Sequence, residues 1–136
     1  MSEPMAIESI AEEYAKFLGY LTEARVPFKL NKGNSDIDIL GFNPKTKRTL
    51  LIECKAWGGP SEYRNFSKRK KFFKNAFKEA MVKWNHFKIG RTNRWNFKKL
   101  NEIWFVVPGY CNDKKKIEKE ISEKISHVVK ILPIHE

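Results

Sequence analysis

Cysteine is nearly absent from this chain, with Cys54 and Cys111 far apart and no CxxC or regular Cys/His spacing. That excludes a disulfide framework and a structural zinc site, and it points to a reducing, intracellular and cytoplasmic home. Glycine and proline are scarce as well, at 7 and 6, beside 41% hydrophobic and 13% aromatic residues. Collagen-like, low-complexity and wholly disordered chains are excluded on that ground. No apolar run approaches the roughly 18 residues of a membrane span. The opening MSEPMAIESIAEEY is acidic where a signal peptide is basic and then apolar, so neither targeting nor a membrane partner is expected. What is present fits one domain over residues 1–136.

Acid is the other shortage. The chain holds 27 Lys and Arg against 16 Asp and Glu, a formal charge of +11. Residues 1–63 carry 8 basic and 9 acidic groups, residues 64–100 carry 13 and 1, and residues 101–136 carry 6 and 6. One segment therefore holds the whole excess, together with 8 of the 18 aromatic residues. A merely solvated helix face usually mixes signs, so that pairs one turn apart attract. Thirteen like charges with Glu79 alone against them favour a polyanionic partner. Counterion release on a phosphate backbone, with aromatic stacking on unpaired bases, offsets such repulsion. Arg64, Lys68, Arg69, Lys71, Lys78, Arg91, Arg94 and Trp95 are the candidate nucleic-acid contacts.

Helical spacing over residues 6–20 sets Ile7, Ile10, Ala11, Tyr14, Phe17, Leu18 and Leu21 on one face. Phe28–Leu30 reads as a short strand, Asn31–Ser35 as a turn, and Asp36–Leu40 as an alternating strand. Gly41–Thr46 reads as a hairpin turn before the aliphatic run Thr49–Ala56. Gly58, Gly59 and Pro60 break the chain, and the spacing predicts a helix over 66–88, then a basic loop over 90–100. Ile103–Val107 is a continuous apolar strand, Lys114–Ser126 a charged helix, and Val128–Leu132 a closing strand. The order is αβββαβαβ, a mixed α/β domain.

Chemistry is signalled where strands carry acid. In Thr49–Ala56, Glu53 and Lys55 share one face, opposite Ile52, Cys54 and Ala56; in Ser35–Ile39, Asp36 and Asp38 share a face, opposite Ile37 and Ile39. If the two strands are hairpin neighbours, the four polar groups meet. The plainer alternative is a solvent-facing Glu53–Lys55 ion pair and two turn acids. Converging half-buried carboxylates repel unless they share a proton or a cation, so the arrangement implies a divalent ion. Hard oxygen donors with room for water favour Mg²⁺ or Mn²⁺. Such a site, with a lysine beside it, suits phosphodiester hydrolysis. His86, His127 and His135 lie too far apart to be read as a metal or base cluster.

With Asp38 in SDIDILG, and Glu53, Cys54 and Lys55 in LIECKAW, the chain resembles the PD-(D/E)XK nucleases. This restriction-endonuclease-like superfamily includes archaeal Holliday junction resolvases and Mrr-type and RecB-type nucleases. The resemblance covers about residues 8–110 and implies the family's αβββαβ core. It further implies a metal-dependent DNA endonuclease in which Asp38 and Glu53 bind the metal, the carbonyl of Cys54 adds a ligand, and Lys55 is the catalytic lysine. Many members place a glutamate of the first helix near the metal. Glu12 fits that role, because Glu12, Ala15 and Leu18 follow an E-x-x-A-x-x-L pattern, with Glu13 as the alternative.

The proline of the family's name is missing, so Asp36 competes with Asp38 for the ligand role; Asp38 is preferred because Ile39 and Leu40 follow it. The chain has no glutamine, which sets it apart from the branches carrying one on the helix after ExK. The implied partner is DNA, with branched or flap forms as candidates. A homodimer is compatible with the resemblance, and no organic cofactor is expected. A non-catalytic DNA- or RNA-binding protein on the same scaffold is the competing reading.

Overall fold

A computed structural model describes residues 3–30, 33–55, 66–90, 93, 97–108, 113–122 and 127–134. Eight elements follow in the order α1 (Glu3–Phe17), β1 (Leu21–Lys29), β2 (Asn34–Asn43), β3 (Arg48–Cys54), α2 (Phe66–Lys88), β4 (Glu102–Pro108), α3 (Lys114–Ser122) and β5 (Val128–Ile134). The strands form one sheet in the order β1-β2-β3-β4-β5. Its first half is an antiparallel meander, and β3, β4 and β5 run parallel. The parallel half needs crossovers, which α2 and α3 provide. The result is the α/β class that the alternation of elements predicts.

β4 shows how the layers form. Ile103, Phe105 and Val107 join the cluster that holds α2 and α3, whereas Trp104 and Val106 join the one that holds Ala11 and Ala15 of α1. Both faces of this strand are covered, which is why it reads as an unbroken apolar run. α2 contributes Phe73, Ala76, Ala80, Trp84 and Phe87 to the interior. At roughly 1.5–3 kcal/mol for each large side chain, this face does more to hold α2 than helix propensity does. Most described aromatic residues of the basic segment are therefore core or half-buried groups rather than exposed stacking platforms.

α1 stops earlier than its apolar spacing predicts. Gly19 has φ +100, the Tyr20 amide donates to the Ala15 carbonyl at 3.1 Å and the Gly19 amide to Lys16 at 3.0 Å. This glycine-closed cap ends the helix. Leu18 and Leu21 consequently lie beyond it and are exposed, as is Phe17. β1 is likewise longer than Phe28–Leu30, because an exposed edge strand interrupted by Arg25 and Pro27 shows no clean alternation. Gly41 and Phe42, expected in a turn, are paired within β2, and the turn falls on Pro44–Lys47. Residues 56–65 and 123–126, with the expected Gly58–Pro60 break and the end of the charged helix, lie outside the described residues.

The far edge of the sheet is closed by a side chain. Glu118 of α3 accepts the Ile131 amide of β5 at 2.5 Å. A carboxylate on that amide blocks pairing by another strand.

Candidate active site

The β2–β3 ladder runs from Asn43↔Arg48 to Ile39↔Ile52. One residue further in the same register brings Asp38 opposite Glu53, and there side chains replace the backbone ladder. The Asp38 amide donates to Glu53 Oε2 at 3.2 Å, and the Cys54 amide donates to Asp38 Oδ2 at 2.8 Å. Meanwhile the Lys55 amide donates to the Val106 carbonyl at 2.9 Å. β3 thus stays fastened to β4 while it parts from β2, and the fork opens at the carboxyl end of a parallel strand. This is where α/β sheets commonly bind ligands.

Simple alternation fails at the fork. Ile37 packs on the α2 side and Ile39 on the α1 side, so Asp36 and Asp38 do not share a face opposite both isoleucines. The β1–β2 ladder skips Arg25 and Asp38, and Arg25 has φ +53. Such an interruption re-aims a side chain, as bulges do. It sets Asp38 at the crossing of the two layers, within electrostatic reach of α1 and α2 together.

Glu53 is the buried member, with 1% of its side chain exposed. Burial pushes its carboxyl above the usual range, the Asp38 charge pushes the same way, and the Lys83 ammonium on Oε1 at 2.5 Å opposes both. Burial alone would lower Lys83, but its bond to Glu53 and the charges of Glu53, Asp38 and Asp36 leave it raised. On the α1 side, burial and Asp38 raise the Glu8 carboxyl while Arg25, 3.7 Å away, lowers it. The Cys54 thiol, raised by burial and by Asp38, Glu8 and Glu53, stays protonated. Its backbone, not its sulfur, belongs to the site.

The helix glutamate whose charge reaches this cluster is Glu8, which pairs with Arg25. Glu12 instead accepts the Thr22 hydroxyl at 2.7 Å, and Glu13 pairs with Lys16 at the surface. One helical turn separates Glu8 from Glu12, and an E-x-x-A pattern does not resolve which turn lies beside the fork. Glu8 could have been found as the acid four residues earlier on the same face.

Lys55 continues β3 toward α2, where its Nζ meets Glu79 at 2.7 Å. It lines a cleft of about 530 Å³ with Lys68, Lys71, Phe72, Asn75, Ala76 and Glu79. Of the other basic candidates, Lys78 lines a neighbouring hollow, and Arg69 is committed to a two-pronged pair with Asp113 at the start of α3. Arg64, Arg91, Arg94 and Trp95 lie outside the described residues.

Among the described residues no three His, Cys, Asp or Glu side chains are grouped tightly enough to hold a metal by themselves. The donors at the fork are nevertheless of the right kind. Asp38 and Glu53 supply hard oxygens held by backbone amides, and a cationic group already rests on Glu53. Mg²⁺ commonly takes only one or two carboxylates and fills its shell with water, so a pair of carboxylates of this kind suits that ion.

No helix among the described residues is long and apolar enough to cross a membrane. No protein-family profile and no curated protein matches the chain. Among solved structures it is similar to "Crystal Structure of Protein of Unknown Function AF1548", with a TM-score of 0.50 and 17% identity. The match covers 96% of this chain and 57% of that one, so the chain spans a little over half of its length, and the likeness is one of fold.

Proposed function

We propose that the chain is a metal-dependent endonuclease with a restriction-endonuclease-like core, hydrolysing DNA phosphodiester bonds, with branched or flap DNA as the candidate substrate. One observation carries the reading: Asp38 and Glu53 are brought together at the strand fork by bonds to backbone amides, with Lys55 two residues beyond Glu53, just past the end of β3. The strand order, with a meander leading through a basic helix into a parallel strand, supports it.

In this reading Asp38, Glu53 and the Cys54 carbonyl hold Mg²⁺ or Mn²⁺, and Glu8 takes the helix position assigned above to Glu12. The ion, when bound, would polarise a phosphoryl oxygen and acidify a bound water. Lys55 steadies the attacking water or the developing negative charge, and Lys68 and Lys71 hold flanking phosphates. Water adds to phosphorus, the bond to one ester oxygen breaks, and a phosphate monoester and a hydroxyl result.

A second reading, a nucleic-acid-binding protein without turnover, is favoured by the ion pairs that engage Glu53 and Lys55. The test is incubation with labelled duplex, single-stranded, flap and four-way-junction DNA in Mg²⁺, Mn²⁺ or EDTA, beside Glu53→Ala. Metal-dependent cutting lost in the variant supports the nuclease. Binding without cutting in every condition supports the second reading.

A further inference from the structure

Two residues of α2, Glu79 and Lys83, engage both charged members of the ExK triplet with crossed polarity. Lys83 holds Glu53 at 2.5 Å, and Glu79 holds Lys55 at 2.7 Å. They stand four apart on the helix, in the order Glu then Lys that favours pairing with each other. Lys83 also borders a hollow of about 380 Å³ that Glu79, Lys78, Phe28, Leu30 and Ser35 line, so its side chain has space to leave Glu53 and a carboxylate to meet there.

We propose that Lys83 is a resident cation at the metal position and a positioning residue for the ExK triplet. A divalent ion displaces Lys83 from Glu53, Glu79 takes up the released ammonium, and Lys55 is thereby freed to face the substrate. The proposal rests on the metal-dependent reading above. Its physical basis is that Glu53 is buried beside Asp38 and needs a cation in either state. With the ion absent, the ammonium stabilises the charged carboxylate; with the ion present, ammonium and metal compete for the same oxygen. The exchange keeps a cation on Glu53 in both states and leaves Lys55 as the one charge released, which the substrate phosphate then meets.

The test is Mn²⁺ affinity, measured by calorimetry and by the loss of free-ion paramagnetic resonance signal, in the full chain and in Lys83→Met, Lys83→Arg and Glu79→Gln. Removing a competing charge-assisted bond is expected to make Lys83→Met bind Mn²⁺ roughly tenfold more tightly or better. Lys83→Arg, which keeps the charge, should stay near the parent. Glu79→Gln should bind roughly two- to fivefold more weakly, because the acceptor for displaced Lys83 is lost at an exposed position. A loss of packing alone does not move two neighbours in opposite directions.

Equal or weaker binding by Lys83→Met overturns the proposal while leaving the metal reading intact, and unchanged binding by Glu79→Gln overturns the exchange. Mn²⁺ bound by none of the proteins overturns the proposal and the metal reading together. Should Lys83→Met unfold without metal, refolding on Mn²⁺ addition, read by circular dichroism, supports the competition; failure to refold in excess Mn²⁺ overturns it.

Discussion

Glu102→Ala is the perturbation whose cost can be worked most fully. Glu102 begins β4, with 8% of its side chain exposed. It accepts the Trp104 indole N–H at 2.5 Å, and Arg48 of β3 and Lys130 of β5 lie at 3.2 and 3.4 Å. One carboxylate thus ties together the three parallel strands. Removing it strands the N–H of a buried tryptophan, which costs about 1–3 kcal/mol. The two cations are partly exposed and regain water, so each lost pair adds no more than about 1 kcal/mol. The total is about 3 kcal/mol, and a chain of this size should melt about 10 °C lower. Thermal unfolding by circular dichroism measures it. Trp104→Phe removes the donor, so in that background Glu102→Ala should cost about 1–2 kcal/mol less. A shift under about 3 °C, or strict additivity of the two substitutions, would refute the reasoning. Three residues of parallel strand, roughly 10 Å, separate Glu102 from the level of Glu53, so Mn²⁺ binding should survive in the folded variant.

Other outcomes follow from the same geometry. The raised Glu53 and Glu8 carboxyls contribute stability that is present below the ordinary carboxylate value of 4.5 and is lost as pH rises through their folded-state values. The melting temperature of the metal-free parent, relative to Glu53→Gln, should therefore rise as pH falls from neutral toward about 5; a flat or inverted difference contradicts the raised carboxyl. Lys68→Ala and Lys71→Ala should each weaken DNA binding across sequences and reduce the slope of log affinity against log salt by about 1, read by fluorescence anisotropy. Gly19→Ala should cost about 1–2 kcal/mol by chemical denaturation, since a left-handed residue gains a Cβ that meets Asn43 Nδ2 at 3.2 Å.

Long periodic elements were legible from sequence, and so was the pairing that brings Asp38 to Glu53. α2 over 66–88 is marked by Phe73, Phe77, Ala80 and Trp84, and β4 by its unbroken apolar run. The end of α1 was less legible, because Leu18 and Leu21 continue an apolar spacing that backbone geometry at Gly19 cuts off. The choice of Glu8 over Glu12 depends on where α1 crosses the fork, a tertiary property. Alternation misplaced Asp36 and Asp38 because it assumes a regular pleat, and Arg25 breaks that pleat from the neighbouring strand. Lys83 was hidden among thirteen basic residues, and Glu79, legible as the single acid of that segment, gave no sign of its partner; only the crossing of α2 over β3 pairs the two with the triplet.

The bond from the Cys54 amide to Asp38 has a consequence for how such chains diverge. The middle position of the ExK triplet anchors the aspartate through an atom that every residue except proline supplies. Selection can therefore let its side chain drift with the packing against α1, while Asp38 stays anchored. Two descendants of one ancestor can then share the acids and the lysine and agree nowhere between them. Similarity scored over side chains would count that position as noise, although a single change there, to proline, would release the aspartate.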